Sequence, residues 1–265
     1  MPPRTVLITG ASSGIGAAFA DVFAARGFDV VLAARREDRL RALAESLTAR
    51  YGVLAHVIPG DLTAPDAVAR LCGELDARGI HVDALVNNAG YGVPGTFLVP
   101  GWAQHAAQMQ VMMTALVELT YRLLPGMIAR RYGRVINVAS LAGMVPAPGG
   151  HTLYAACKAF VIRFSESLGH EVAGEGVHVT ALCPGFTMSE FHDRTGTRDK
   201  VSRLPSWLWM DAETVARQGY DAVMAGRSVH VNGRVNRAIA AGSSWLPHRL
   251  VTFISRRAAR LYRKG

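Results

Sequence analysis

The stretch TVLITGASSGIG, residues 5–16, decides the fold. Its first half is an apolar, β-branched run of strand length. Its second half sets Gly10, Gly14 and Gly16 in a turn that leads at once into the helix-like AAFADVFAA. Glycines in such a turn let backbone N–H groups come close to a pyrophosphate and let the helix pack on the strand, and the helix N-terminus adds positive potential. The spacing is G-x-x-x-G-x-G rather than the commoner G-x-G-x-x-G. With the intervening Ser12, Ser13 and Ile15, these glycines form the first group of candidate cofactor contacts.

Working outward, similar runs recur at regular intervals: DVVLAA (29–34), AHVIPG (55–60), DALVNNAG (83–90), GRVINVAS (133–140), VHVTALCPG (177–185) and SVHVNG (228–233). Amphipathic segments rich in Ala, Leu, Arg and Glu lie between them, over 14–26, 36–50, 65–78, 101–130, 152–173 and 212–225. Near-continuous apolar strands alternating with helices make a parallel sheet covered on both faces. No linker or repeat interrupts the alternation, so the reading is one doubly wound α/β domain over 1–265, with ligands at the carboxyl ends of its strands.

Composition narrows the function classes. Half of the 265 residues are hydrophobic, yet no uninterrupted run approaches the roughly 18 to 20 apolar residues that span a membrane. The opening MPPRTVLITG passes straight into a strand without a signal-like segment, so a cytoplasmic location is expected. Cys72, Cys157 and Cys183 lack metal-ligand spacing and read as buried thiols; no metal is expected. The formal charge of +9 sits in the tail: nine Lys or Arg follow Asp221, the last acidic residue, and the rest of the chain is balanced. Nucleic-acid binding is therefore not expected.

The second strand ends in Ala33-Ala34-Arg35-Arg36, roughly where an acidic residue about 20 positions past the glycine turn would bond the ribose 2′-hydroxyl of NAD. Here no carboxylate repels a 2′-phosphate and two guanidiniums can bind one, which points to NADP(H) with Arg35 leading and Arg36 assisting. The alternative is a pair of ordinary surface arginines on a first helical turn. Asp61, with Leu62 beside it in GDLT, closes the third strand where a carboxylate can accept from the adenine amino group.

In LYAACKAF (153–160), Tyr154 and Lys158 are four apart and share one face of a helix. TGASSGIG, then Asn88, Ala89 and Gly90 in NNAG, then Ser140, then YAACK (154–158), then Pro184-Gly185, resembles the short-chain dehydrogenase/reductase family across nearly the whole chain. The resemblance implies a Rossmann-type domain with a seven-stranded parallel sheet and hydride transfer between a nicotinamide and a carbonyl or hydroxyl carbon. It implies Ser140, Tyr154 and Lys158 as the catalytic residues: Ser140 orients the carbonyl oxygen and Tyr154 is general acid and base. Lys158 lowers the phenol's pKa and bonds the nicotinamide ribose. Asn88 ties the fourth strand to its neighbours, Gly90 lets the cofactor approach the backbone, and Thr187 bonds the carboxamide. Thr187 or Ser189 as a helix cap is the alternative. A homo-dimer or homo-tetramer is expected.

Two features depart from the family pattern. The Ser140–Tyr154 segment is one residue longer, within MVPAPGGH (144–151), and Met112 stands where the family has an asparagine associated with a water-linked proton path to the lysine. Methionine cannot donate, so Gln108, one turn upstream, is the candidate substitute. A catalytically weakened NADP(H)-binding regulatory protein is the second reading. Apolar segments at 91–102 and 141–150 and an insert at 186–210 are expected to wall the substrate pocket, the insert as a lid with Trp207 to Met210 covering a hydrophobic 3-oxoacyl-type or cyclic ketone. Packing of these tryptophans against the core or a partner is the alternative. The tail, 247–265, reads as a basic amphipathic helix that either covers its own domain or rests on the inner face of an anionic membrane.

Overall fold

Each apolar run becomes a strand because its aliphatic side chains find cover on both sides. In the first, Val6 and Ile8 pack with helices on one face of the sheet while Leu7 packs on the other. The computed structural model describes residues 3–146, 152–190 and 205–245. In chain order the elements up to the middle of the sheet are β1 Thr5–Thr9, α1 Gly14–Ala24, β2 Asp29–Ala34, α2 Glu37–Tyr51, β3 Ala55–Pro59, α3 Ala67–Ala77 and β4 Ala84–Asn87. There follow α4 Trp102–Met109, α5 Ala115–Ala129, β5 Gly133–Val138, α6 Thr152–Glu171, β6 Val177–Cys183, β7 Phe186–Met188, β8 Trp209–Asp211, α7 Ala212–Met224, β9 Val229–Val231 and α8 Arg234–Trp245.

The seven long-run strands form one parallel sheet in the order β3-β2-β1-β4-β5-β6-β9. Strand order reverses between β1 and β4, and a crevice opens there at the strands' carboxyl ends. The core lies in two layers. Phe19, Phe23, Leu40, Leu47 and Val215 cover one face from α1, α2 and α7. Val68, Leu71, Leu75, Ala115 and Leu119 cover the other from α3 and α5. This is the single α/β domain expected from the alternation of runs.

Three elements differ from the sequence reading. The helix expected over 101–130 is broken at Gln110–Thr114 by a π turn, whose buried residues are Val111 and Met112. Taken together, Trp102–Ala129 is long enough to cross a membrane and contains an 18-residue window apolar enough to do so, although no uninterrupted apolar run of that length occurs. It buries Val111, Met112, Ala115, Leu116 and Leu119 within the protein, as a core helix would. Second, the ends of the 186–210 insert are joined: β7 and β8 pair in parallel, Phe186 beside Trp209, with their rings 5.5 Å apart. Third, α8 follows β9 directly, where no helix was expected. The tail 247–265 and most of the 144–151 and 186–210 loops lie outside the described residues.

Candidate active site

The glycine turn is shaped by close packing. A Cβ at Gly16 would lie 2.3 Å from the Gly10 carbonyl oxygen and 2.6 Å from Asn88 Nδ2, so the first helix can sit this near β1 only with glycine there. Asn88 locks the turn to β4: its amide donates to Thr9 O (3.0 Å) and Gly10 O (3.3 Å), while Thr9 Oγ1 accepts from the Asn88 and Ala89 N–H groups. Ser13, at the N-cap of α1, makes no side-chain capping bond, and its hydroxyl instead accepts from Arg36 Nη2 at 2.8 Å. Gly14 and Ile15, the first two residues of α1, line the cleft, so the helix N-terminus opens on it as a phosphate site requires.

From this turn a cleft of about 1170 Å³ runs to the ends of β5 and β6. Its walls include Gly10, Ser12, Ser13, Gly14, Ile15, Arg35, Arg36, Asp61, Leu62, Asn88, Ala89, Gly90, Ser140, Tyr154, Lys158, Pro184, Gly185 and Thr187. The cleft thus gathers every candidate catalytic and cofactor-contacting residue except Gly16, which packs against Gly10 and Asn88.

The two arginines are not equivalent. Arg36 folds back over the turn, its Nε and Nη2 reaching Ser12 Oγ at 3.2 and 3.0 Å. Arg35 is 60% exposed and meets Asp61 only loosely, at 3.7 Å. Asp61 itself accepts from Thr63 N–H at 3.0 Å. The donor set of helix amides, two hydroxyls and two guanidiniums fits a dinucleotide bearing an additional phosphate, with Arg36 held at the turn and Arg35 the more exposed of the two.

At the far end, Ser140 accepts from Ala142 N–H (3.1 Å) and so caps the short turn Leu141–Gly143. Its hydroxyl also hydrogen-bonds the Tyr154 phenol. Burial pushes that phenol above its ordinary range, and the bond with Ser140 pulls the other way. Lys158 lies 5.7 Å from the Tyr154 ring centre, is 6% exposed and donates to Val138 O at 2.7 Å. Burial lowers its ammonium to about 8. Burial, and not Lys158, therefore sets the direction of the Tyr154 shift, and the opposing pull comes from Ser140. A buried polar chain supports this end from beneath: Asn87 donates to Asn137 (2.9 Å) and Thr120 (3.1 Å), and Asn137 donates to Ser165 (2.9 Å).

Met112 is buried beside the same space. A side chain begun at Gly90 would have Met112 Cγ at 3.6 Å and Lys158 Nζ at 3.7 Å. Gln108, the candidate substitute donor, is committed elsewhere: its amide donates to Tyr91 O at 3.0 Å. Thr187 is buried in β7, its hydroxyl bonded to Gly185 O at 3.2 Å. Trp207 is exposed, whereas Leu208 lines the cleft. Of the cysteines, Cys157 and Cys183 are buried and Cys72 only partly.

Asn236 and Ile239 of α8 and Glu190 after β7 also line the cleft, beyond the residues that the motifs single out. Apolar Val235, Ile239 and Ala240 recur at helical spacing and signal α8. Glu190 reaches Arg36 across 154 residues of chain, which no local pattern reveals.

The family model described as short chain dehydrogenase matches residues 4–200. A sulfoacetaldehyde reductase of Chromohalobacter salexigens is 42% identical over 252 residues, 91% of this chain and 95% of that one. Among solved structures, a short-chain dehydrogenase from Sphingobium yanoikuyae in complex with NADPH superposes with a TM-score of 0.80 at 32% identity, covering 92% of this chain and 96% of that one. A bulky-bulky ketone specific alcohol dehydrogenase from Comamonas testosteroni gives a TM-score of 0.76 at 28% identity, covering 94% and 96%.

Proposed function

Because the chain belongs to the short chain dehydrogenase family, we propose that it is an NADP(H)-dependent oxidoreductase acting on the carbonyl or hydroxyl carbon of an apolar substrate, with Tyr154 as general acid and base. The observation that carries this reading is the Tyr154 phenol, hydrogen-bonded to Ser140 and 5.7 Å from buried Lys158, on the wall of a cleft that begins at the glycine turn. NADPH is the ligand of the Sphingobium structure, and Arg36, Ser12 and Ser13 suit its 2′-phosphate.

The bound nicotinamide supplies or accepts the hydride. Ser140 holds the substrate oxygen toward Tyr154, and the phenol gives its proton to that oxygen as alkoxide character develops. A phenol kept protonated by burial is ready as the acid of carbonyl reduction, and the Lys158 ammonium offsets the phenolate left behind. Pro184 and Gly185 turn the chain after β6 so that Thr187 faces the cleft for the carboxamide.

For the substrate, the lining is the guide. Leu141, Val145, Phe186, Leu208 and Ile239 stand at the Tyr154 end. The charged lining residues other than Lys158 and Glu190 come from the β2, β3 and α3 side. The sulfoacetaldehyde reductase relative reduces, by name, an anionic aldehyde. A bulky ketone, of the kind named for the Comamonas enzyme, or a 3-oxoacyl chain fits better. NADPH oxidation across a panel of apolar ketones, with sulfoacetaldehyde as the charged comparison, tests this. Turnover of ketones that Tyr154→Phe abolishes is the expected result, and turnover confined to sulfoacetaldehyde overturns the substrate class. Met112 beside Lys158 favours the second reading, a regulatory NADP(H)-binding protein, which tight binding without turnover on any carbonyl would establish.

A further inference from the structure

Glu190 comes from the far side of the cleft, directly after β7, and reaches the glycine turn. Its neighbour Ser189 packs on Gly14, with its Cβ 2.9 Å from where a Gly14 side chain would begin. One carboxylate oxygen accepts from Arg36 Nη1 at 2.9 Å and the other from Arg39 Nη1. The same Arg36 guanidinium holds Ser12 and Ser13 through its other nitrogens. An anion is thus already seated on the donor set that suits the cofactor's 2′-phosphate, and it is part of the chain.

We infer that Glu190 is an internal stand-in for the 2′-phosphate, which NADP(H) must displace from Arg36 and which NAD(H) leaves in place. The inference rests on the NADP(H) reading above. Two anions cannot share Arg36 in contact without strong repulsion, and the two guanidiniums hold Glu190 ionised, with its carboxyl at about 2, throughout the neutral range. Glu190 therefore sets cofactor specificity by competition: it reduces the advantage that the phosphate gains from Arg36. Its partners are partly exposed, with side-chain accessibilities of 26% for Arg36, 46% for Arg39 and 38% for Glu190, so each ion pair is worth little and the competition is modest.

The test is titration of the full chain with NADPH, NADH, 2′,5′-ADP and 5′-AMP. In Glu190→Gln, NADPH and 2′,5′-ADP should bind roughly three- to fivefold more tightly, with NADH and 5′-AMP changed less than about twofold. Glu37→Gln removes an equal charge next to Arg36 from a carboxylate that pairs with Arg41 instead. It should leave NADPH affinity nearly unchanged. Equal tightening in both variants, or equal tightening of NADPH and NADH, would show a general field effect and overturn the inference. Weaker NADPH binding in Glu190→Gln would show that Glu190 merely props Arg36, and would overturn it as well. If the unaltered chain binds NADPH no better than NADH, the cofactor reading fails instead.

Discussion

The two ends of the cleft obtain their chemistry by opposite means. At the glycine turn, charges meet near water: Arg35 and Asp61 are both largely exposed, and Arg36 is shared between serine hydroxyls and a carboxylate. At the Tyr154 end an ammonium, Lys158, is taken out of water, and its pKa falls to about 8. The exposed end can select a ligand by matching charge at little cost to the fold. The buried end strains the fold to make one proton mobile.

The largest effect should come from breaking the buried end chemically. Tyr154→Phe removes the acid and should lower kcat by about 10²- to 10⁴-fold, with NADPH affinity little changed in a binding titration. If NADPH affinity falls as steeply as turnover, the two ends are not separate devices.

Stability against pH measures the strain. The Lys158 pKa is about 8 folded against 10.5 unfolded, so between these values the unfolded chain binds more protons and stability rises with pH. Denaturation of the native chain and Lys158→Met at pH 7.5 and 10.5 should show the difference between them shifting toward the native chain by about 3 kcal/mol. A difference that does not change with pH would mean that the ammonium is better solvated than its position indicates.

At the exposed end, Arg36→Ala should weaken NADPH by about 1.5 to 3 kcal/mol and NADH far less, and Arg35→Ala should cost less than Arg36→Ala. Cofactor titrations that reverse this order would return the leading role to Arg35. The smallest effect should be Met112→Asn, which should leave kcat unchanged or raise it by about tenfold at most, without altering NADPH affinity. A large fall in kcat would make Met112 a packing or substrate contact rather than a gap in the proton path.

Much of this is legible in the chain. The strand runs define the sheet because the five inner ones are buried on both faces, and the motif residues can be placed because the carboxyl ends of β1, β4, β5 and β6 converge. What stays hidden depends on side chains meeting over long sequence distances. The bend of Arg36 onto Ser12 and its pairing with Glu190 are examples, as is the burial that raises the Tyr154 phenol. The short β7–β8 ribbon escapes a sequence reading because FTM and WMD carry no β-branched apolar run and pair only across the insert between Met188 and Trp209. The π turn escapes it because its composition, QVMMT, suits an ordinary helix.

That π turn makes the long helix a matter of counting. It carries one residue more than the α-helical turn it replaces, so α4 is rotated by about 100° from the phase that α5 alone would give it. Removing any one residue from Gln110–Thr114 would leave both halves helical and α5 seated on the sheet, yet it would swing Gln108 away from Tyr91 O and move Met112 or its successor relative to Gly90. The wall opposite Lys158 is therefore addressed by chain length as much as by side-chain type. A one-residue deletion there would re-index the site in a way that no single substitution can.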